Sequence, residues 1–148
     1  MNNGKVNDAV LAATIAHYEQ LDKNGEPYIL HPLRVMSNCW RDGFRKPIYL
    51  ISAVLHDTVE DTPMTVDNIK DQFGLEISKI VDVLTKRESE KRFDYIDRVG
   101  NNRIATIIKL RDIEDNMNLT RLTTEYGLYS RYAKSYRTLQ EALKYGGV

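Results

Sequence analysis

Apolar residues recur at helical spacing along almost the whole chain, and no run alternates with the period of two that a half-buried strand requires. The most apolar run, residues 49–55, is hydrophobic on nearly every side, which is typical of a helix in the middle of a core. Turn-forming residues at 24–27, Gly43 and Gly74 separate the periodic segments. The pattern predicts an all-α fold, a bundle of roughly six to eight helices.

Several helix ends can also be predicted from local residues. Residues 6–21 carry one apolar face and are predicted to form a helix, and a second helix is predicted to begin near His31, with a proline in its first turn. Thr65 precedes an amphipathic segment that Gly74 ends, as an N-cap residue and a C-cap glycine would. The charged stretch 85–98 is compatible with a solvated helix, a loop, or both.

Length and composition narrow the class of protein. The 148 residues fit one domain, 1–148, without linker or repeat. The 21 Lys and Arg balance the 21 Asp and Glu, which argues against a protein that coats nucleic acid or a membrane. The one cysteine, Cys39, excludes an internal disulfide, and no signal peptide or membrane-spanning run is evident. We therefore expect a cytoplasmic domain, and a homo-oligomer is compatible with this sequence.

Ionisable side chains follow the most apolar segment at His56, Asp57, Glu60 and Asp61. Burying them without a partner would cost several kcal/mol each, and a cation is the obvious partner. His56 and Asp57 offer a nitrogen and an oxygen ligand to a divalent metal such as Mn²⁺ or Fe²⁺. If the helix continues, Glu60 and Asp61 stand one turn further on, where carboxylates position or deprotonate a water molecule.

An isolated His-Asp pair is more often a hydrogen-bonded core histidine beside a solvated helix end. A second histidine and a second aspartate reverse that balance, because His31 opens a predicted helix and Asp112 follows the apolar run 104–110. Two imidazoles and two carboxylates from three helices make a coherent four-ligand metal site. We expect His17 to be structural, since its neighbours one helical turn away include no acid.

At these residues the chain resembles the HD-domain metal phosphohydrolases, and specifically the hydrolase domain of the RelA/SpoT alarmone enzymes and their stand-alone small hydrolases. The resemblance implies a single HD-type helical domain. It rests on four blocks that occur in order between residues 16 and 117, of which the block Ala-Val-Leu-His-Asp-Thr-Val-Glu-Asp-Thr is nearly a full match. The blocks are residues 16–33, 53–62, 73–86 and 108–117.

The resemblance implies one metal ion, usually Mn²⁺, with Fe²⁺ or another divalent metal as the alternative. The implied metal ligands are His31, His56, Asp57 and Asp112. Glu60 and Asp61 would be the catalytic pair that orients and activates the attacking water. The implied reaction is hydrolysis of the 3′-pyrophosphate of guanosine tetra- or pentaphosphate (ppGpp or pppGpp), which releases pyrophosphate and GDP or GTP.

The residues that would recognise the substrate are those where the chain departs from the family pattern. Lys23 matches a basic residue near the substrate and Asn116 one that contacts the nucleotide, although each is equally readable as a surface group. Asp22 stands where the family commonly has Arg, residues 113–115 depart from its usual Arg-Leu-x, and Leu119 stands where Thr is frequent. These departures concern recognition of the nucleobase and leave the metal residues intact.

Two alternatives remain open from the sequence. One keeps the metal site and changes the substrate to a related nucleotide, such as pGpp or the 2′-phosphate of NADPH, which some animal members remove. The other is a non-catalytic module that binds a nucleotide or a partner protein, which loss of Glu60 or Asp61 would have favoured. The basic residues of 86–92 are more readily a solvated surface than a phosphate site. No synthetase-like region is present, so we expect degradation of alarmones without synthesis.

Overall fold

The computed structural model describes residues 4–118 and 126–146, and within these ranges every element is helical. The helices are α1 (Gly4–Ala16), α2 (Leu30–Arg41), α3 (Pro47–Leu55), α4 (Thr58–Asp61), α5 (Val66–Phe73), α6 (Leu75–Leu84), α7 (Arg92–Gly100), α8 (Arg103–Asn116) and α9 (Tyr126–Tyr145). The α4 segment is a single turn, and the eight longer helices agree with the predicted bundle. The all-α prediction is confirmed.

Helix α3 lies at the centre of the core, as its all-round apolar sequence predicts. It packs against α1, α2, α6 and α8, and Ala53, Val54 and Leu55 are fully buried. Because α3 is covered on several sides, the residue that follows it, His56, is delivered into the interior with 1% exposure. The central helix therefore brings a polar side chain to a place where it needs partners.

The predicted ends of α5 are confirmed, whereas the predicted end of α1 is wrong. The Thr65 hydroxyl accepts the Asn68 backbone N–H, the Asn68 side chain accepts the Thr65 N–H, and Gly74 takes a φ of +96° after the helix. Helix α1 ends at Ala16 instead of reaching residue 21. The chain turns at Glu19, with a φ of +63°, into a loop.

That loop, residues 20–28, is closed on itself by backbone and side-chain bonds. Tyr28 N–H donates to the Gln20 carbonyl at 2.9 Å, and Asp22 N–H donates to the Glu26 carbonyl at 2.8 Å. These bonds compete with continuation of α1. The spacing of apolar residues in the sequence gives no information about them. The charged stretch 85–98 is both loop and helix, because α7 begins within it. No helix in the described ranges is long and apolar enough to cross a membrane.

Candidate metal centre

A break in the helical conformation separates α3 from α4, and His56 and Asp57 lie at this break. The condition that the helix continues to Glu60 and Asp61 is therefore not met, because α3 ends at Leu55 and α4 begins at Thr58. His56 Nδ1 donates to the Ala53 carbonyl at 2.7 Å, which leaves Nε2 without a proton in the neutral ring. This orientation turns Nε2 toward the carboxylates.

The four predicted ligands converge on one point. Asp57 Oδ2 lies 3.0 Å from His56 Nε2 and 3.4 Å from His31 Nε2. Asp112 Oδ1 lies 3.0 Å from His31 Nε2 and 3.5 Å from His56 Nε2. The donor atoms of His31, His56 and Asp112 lie within 4.8 Å of one another. Residues from α2, the α3–α4 break and α8 are thus brought together as one set of nitrogen and oxygen donors.

The arrangement fits a divalent cation. Among the described residues, His56 Nε2 is buried yet makes no hydrogen bond, as a nitrogen whose lone pair faces a cation site would be. Burial opposes ionisation of Asp57 and Asp112. The contacts with His56 and His31, and for Asp112 first the charge of Lys109, nevertheless hold both carboxyl pKa values well below their usual range. Two anionic oxygens and two imidazole nitrogens suit Mn²⁺, Fe²⁺ or Zn²⁺.

Further side chains fix the position of Asp112. Lys109 Nζ lies 2.6 Å from its Oδ2, and Asn116 Nδ2 donates to its Oδ1 at 2.9 Å. Lys109 also lies over the Tyr95 ring, with Nζ 5.2 Å from the ring centre. The structure therefore places Asn116, a predicted substrate contact, against a predicted metal ligand, while its role toward substrate stays a prediction.

The side chain of Tyr28 is hydrogen-bonded to Asp57. The Tyr28 hydroxyl donates to Asp57 Oδ2 at 2.6 Å, and burial together with the Asp57 charge raises the pKa of that phenol. The ring of His17 packs on Tyr28 at 4.9 Å between centres, and His17 Nδ1 lies 2.8 Å from Gln20 Oε1. This placement of His17 supports the structural role expected of it.

Glu60 and Asp61 lie beside the cluster on the exposed turn α4. Glu60 Oε1 accepts the Lys86 backbone N–H at 2.8 Å, and the Asp61 backbone N–H donates to the Asp57 carbonyl at 3.0 Å. Partial desolvation and the charge of Asp57 raise the pKa of both carboxyl groups. Both acids thus lie in a partly desolvated setting close to the charge of Asp57.

Lys23 is exposed in the 20–28 loop, and Asp22 shapes that loop. Asp22 Oδ1 accepts the backbone N–H groups of Asn24 and Glu26 at 2.8 and 3.0 Å. The aspartate that departs from the family pattern is thus part of the turn that presents Lys23. Leu119 lies outside the described residues. In the basic stretch, Arg87 pairs with Asp82 at 2.9 Å, which agrees with a surface role for that residue.

Sequence reasoning missed three side chains that support the ligands: Tyr28, Lys109 and Asp115. Each lies three residues from a ligand, and this spacing was the available signal. Spacing alone does not separate a supporting contact from a surface residue, because it does not state which face of the helix is covered. Asp115 is 5% exposed and lies against His31.

The model for the HD domain family matches residues 9–113 of the chain. The chain belongs to the HD domain family. A guanosine-3′,5′-bis(diphosphate) 3′-pyrophosphohydrolase of Aquifex aeolicus is 38% identical to this HD domain over 109 residues, which are 68% of this chain and 16% of that protein. The enzyme of the same name from Haemophilus influenzae is 36% identical over 104 residues, 70% of this chain and 15% of that protein. The chain thus spans about a sixth of the length of these curated relatives.

Solved structures share the fold of this HD domain. The structure of a metazoan ortholog of SpoT, described as hydrolysing ppGpp, has a TM-score of 0.82 at 22% identity and covers 98% of this chain and 88% of that one. A Listeria monocytogenes protein has a TM-score of 0.63 at 28% identity, with 84% of this chain and 85% of that one covered. The fold likeness extends beyond the family match and includes α9, which follows residue 113.

Proposed function

We propose that this HD domain is a metal-dependent phosphohydrolase that removes the 3′-pyrophosphate of ppGpp or pppGpp. The observation that carries the proposal is the convergence of the buried His31, His56 and Asp112 with the partly buried Asp57, next to two acids on the adjacent turn. The names of the Aquifex and Haemophilus relatives and of the metazoan SpoT ortholog support this choice of substrate. The metal we propose is Mn²⁺, with Fe²⁺ as the alternative.

A bound divalent ion would act as a Lewis acid that lowers the pKa of water and offsets phosphate charge. Glu60 and Asp61 would accept the proton of the attacking water and orient it. Water adds to the phosphorus attached to the ribose 3′ oxygen, the bond to that oxygen breaks, and the oxygen leaves with a proton. The products are pyrophosphate and GDP or GTP, so the atoms balance without any other reactant.

Lys23 and Asn116 are the proposed substrate contacts. Lys23 lies in the open loop shaped by Asp22, where a cation is free to meet phosphate. The Asn116 amide donates to Asp112, and this position beside a proposed ligand supports a contact with the reacting end of the nucleotide. A cytoplasmic location and a homo-oligomer also remain predictions.

The deciding experiment is a substrate panel. Purified protein loaded with Mn²⁺ is incubated separately with ppGpp, pGpp and NADPH, and products are identified by ion-exchange chromatography and mass spectrometry. We expect pyrophosphate and GDP from ppGpp, at a kcat/KM well above those for the other two compounds. Turnover of pGpp or NADPH without release of pyrophosphate from ppGpp would overturn the substrate assignment. Absence of turnover with all three would favour the binding module.

A further inference from the structure

One metal ligand, His31, is oriented by a buried side chain that the metal set does not include. His31 Nδ1 lies 2.6 Å from Asp115 Oδ2, and Arg34 Nε donates to Asp115 Oδ1 at 2.9 Å. The two carboxylate oxygens of Asp115 thus face two different partners. His31 and Arg34 are three residues apart on α2, so they share a face of that helix, and Asp115 reaches both from α8.

Burial makes this contact obligatory for Asp115 and His31. The side chain of Asp115 is 4% exposed, that of His31 is 9% exposed, and that of Arg34 is 34% exposed. A buried carboxylate needs donors on its oxygens, and a buried imidazole needs an acceptor on its second nitrogen. Each need is met by the other group, and Arg34 carries the compensating charge toward the surface.

The geometry points to Asp115 and Arg34 as a positioning pair that sets how tightly His31 holds the metal, an inference that rests on the metal site of the proposed function. A carboxylate accepts hydrogen bonds, so Nδ1 carries the proton and Nε2 is left as the ligand atom. A carboxylate behind a ligating histidine fixes the ring and raises its basicity. Arg34 in turn prevents Asp115 from rotating away from the ring.

His31 differs in this respect from the other imidazole. His56 Nδ1 donates to a backbone carbonyl, that of Ala53, so its orientation depends on the fold of α3. The ring of His31 is held by the side chain of Asp115. A single substitution of Asp115 therefore changes the hydrogen bond to His31 while His31 and His56 themselves are kept. The metal affinity of this site is therefore adjustable at Asp115.

The test compares three variants with a matched control. Asp115→Asn keeps the shape but weakens the acceptor, Asp115→Ala removes it, and Arg34→Met releases the second oxygen. Glu114→Gln is the control. Glu114 is the neighbouring acid on α8, and its Oε1 lies 2.9 Å from Arg111 Nη1 instead of contacting a proposed metal ligand. The Kd for Mn²⁺ and for Zn²⁺ is measured by competition with a chromogenic chelator, without any substrate.

We expect the Kd to rise about 10-fold in Asp115→Asn and about 100-fold in Asp115→Ala, with Arg34→Met between wild type and Asp115→Asn. Glu114→Gln should match wild type. In the Zn²⁺-loaded protein, proton NMR should show a strongly hydrogen-bonded His31 Nδ1 proton that is shifted or lost in Asp115→Asn and unchanged in Glu114→Gln. A purely structural role would lower stability without moving this resonance or the Kd.

An unchanged Kd and an unchanged Nδ1 resonance in Asp115→Asn would overturn the inference. If Asp115→Ala does not fold, Asp115→Asn and Arg34→Met decide the question alone. Failure of the proposed function would be distinguishable. If the wild-type protein binds metal but does not hydrolyse ppGpp, the Kd values of the variants still test the role of Asp115. Wild-type protein that binds neither Mn²⁺ nor Zn²⁺ would remove the basis of both.

Discussion

At the scale of single residues, the candidate metal centre gathers buried ionisable side chains at the end of the central helix. His56 Nε2 is buried without a hydrogen bond, and Asp112 directs one oxygen at the histidines and the other at Lys109. Groups of this kind destabilise a core unless a cation joins them. Their roles are accordingly testable by substitutions that remove one ligand or one acid.

Loss of a ligand should remove the metal. We expect His56→Ala and Asp112→Ala to retain less than a tenth of a metal equivalent after dialysis against Mn²⁺ and to lose activity with it, since each deletes one of about four donors. Metal content is measured by atomic emission spectroscopy. Cys39→Ala is the control, because Cys39 is buried away from the site and burial raises the pKa of its thiol to about 12. A full metal equivalent in either ligand variant would contradict the assignment.

Loss of an acid on α4 should lower activity without removing the metal. Glu60→Gln and Asp61→Asn keep the shape of the side chain and remove the proton acceptor, so we expect kcat to fall by about 10² to 10⁴ while metal content stays near that of wild type. Steady-state kinetics with ppGpp and metal analysis of the same samples measure this. If both variants keep wild-type kcat, the proton acceptor lies elsewhere.

At the scale of elements, helix ends and loops are held by specific side chains. The Thr65–Asn68 capping box begins α5, and the loop before α7 is joined to that helix by Glu90 and Arg98. The 85–91 segment also supplies the backbone N–H that Glu60 accepts, so this loop borders the candidate site. Two predictions follow from these contacts.

The cap of α5 should contribute measurably to stability. We expect Thr65→Ala to lower the free energy of unfolding by about 1 kcal/mol, because the Asn68 N–H loses its acceptor. Urea denaturation of the metal-free protein measures the change. Thr14→Ala is the matched control, since the Thr14 hydroxyl donates to the Val10 carbonyl inside α1 and caps nothing. An equal loss in both variants would show that the cap is not the cause.

The Glu90–Arg98 pair should make stability depend on acid pH. Glu90 Oε1 and Oε2 accept from Arg98 Nε and Nη2 at 2.8 and 2.9 Å, which lowers the pKa of Glu90 from 4.5 to about 2. Since the folded-state pKa is the lower one, the contribution is present above pH 4.5 and is lost as the pH falls toward 2.

Glu90→Gln should therefore be less stable than wild type at pH 6, and the difference should shrink steadily between pH 4.5 and pH 2. Urea denaturation at a series of pH values in 0.15 M salt gives the difference between the two proteins. Glu88→Gln, an exposed change in the same loop, should show no such trend. A difference that is constant with pH would mean that the ion pair does not contribute.

At the scale of the whole molecule, the metal centre joins three parts of the chain. Its ligands come from α2, the α3–α4 break and α8, which pack around the central helix. A metal bound at this point links helices that are distant in the sequence. Folding would therefore be coupled to binding of the proposed metal.

Removal of the metal should lower thermal stability. We expect the Tm to rise with metal concentration. The free energy of unfolding should increase by about 2.7 kcal/mol when the free metal concentration is 100 times the Kd. Differential scanning calorimetry with Mn²⁺ and with a chelator measures the change. Mg²⁺, which prefers oxygen ligands, is the control and should have a much smaller effect. Equal melting in Mn²⁺ and chelator would indicate that the native state gains nothing from the ion.

Much of the site was predictable because its residue types are chemically distinctive. An ionisable pair after an all-apolar helix, and an acid after a second apolar run, need explanation wherever they occur, so His56, Asp57 and Asp112 stood out. The role of Asp22 in the turn was not predictable, because it depends on bonds to Asn24 and Glu26, and its bearing on nucleobase recognition stays a prediction. The end of α1 was missed for the same reason, since loop closure competed with helix periodicity.

The sequence by itself determined the helical class, the core helix and the residues proposed as ligands, because periodicity and ligand chemistry are local properties of the chain. The tertiary structure alone decided which imidazole nitrogen of each histidine faces the candidate metal centre and which group bonds the other nitrogen. His31 and Asp115 are 84 positions apart and meet only where α2 packs on α8. Hydrogen bonds to buried ligands are set by helix packing, which no local pattern specifies.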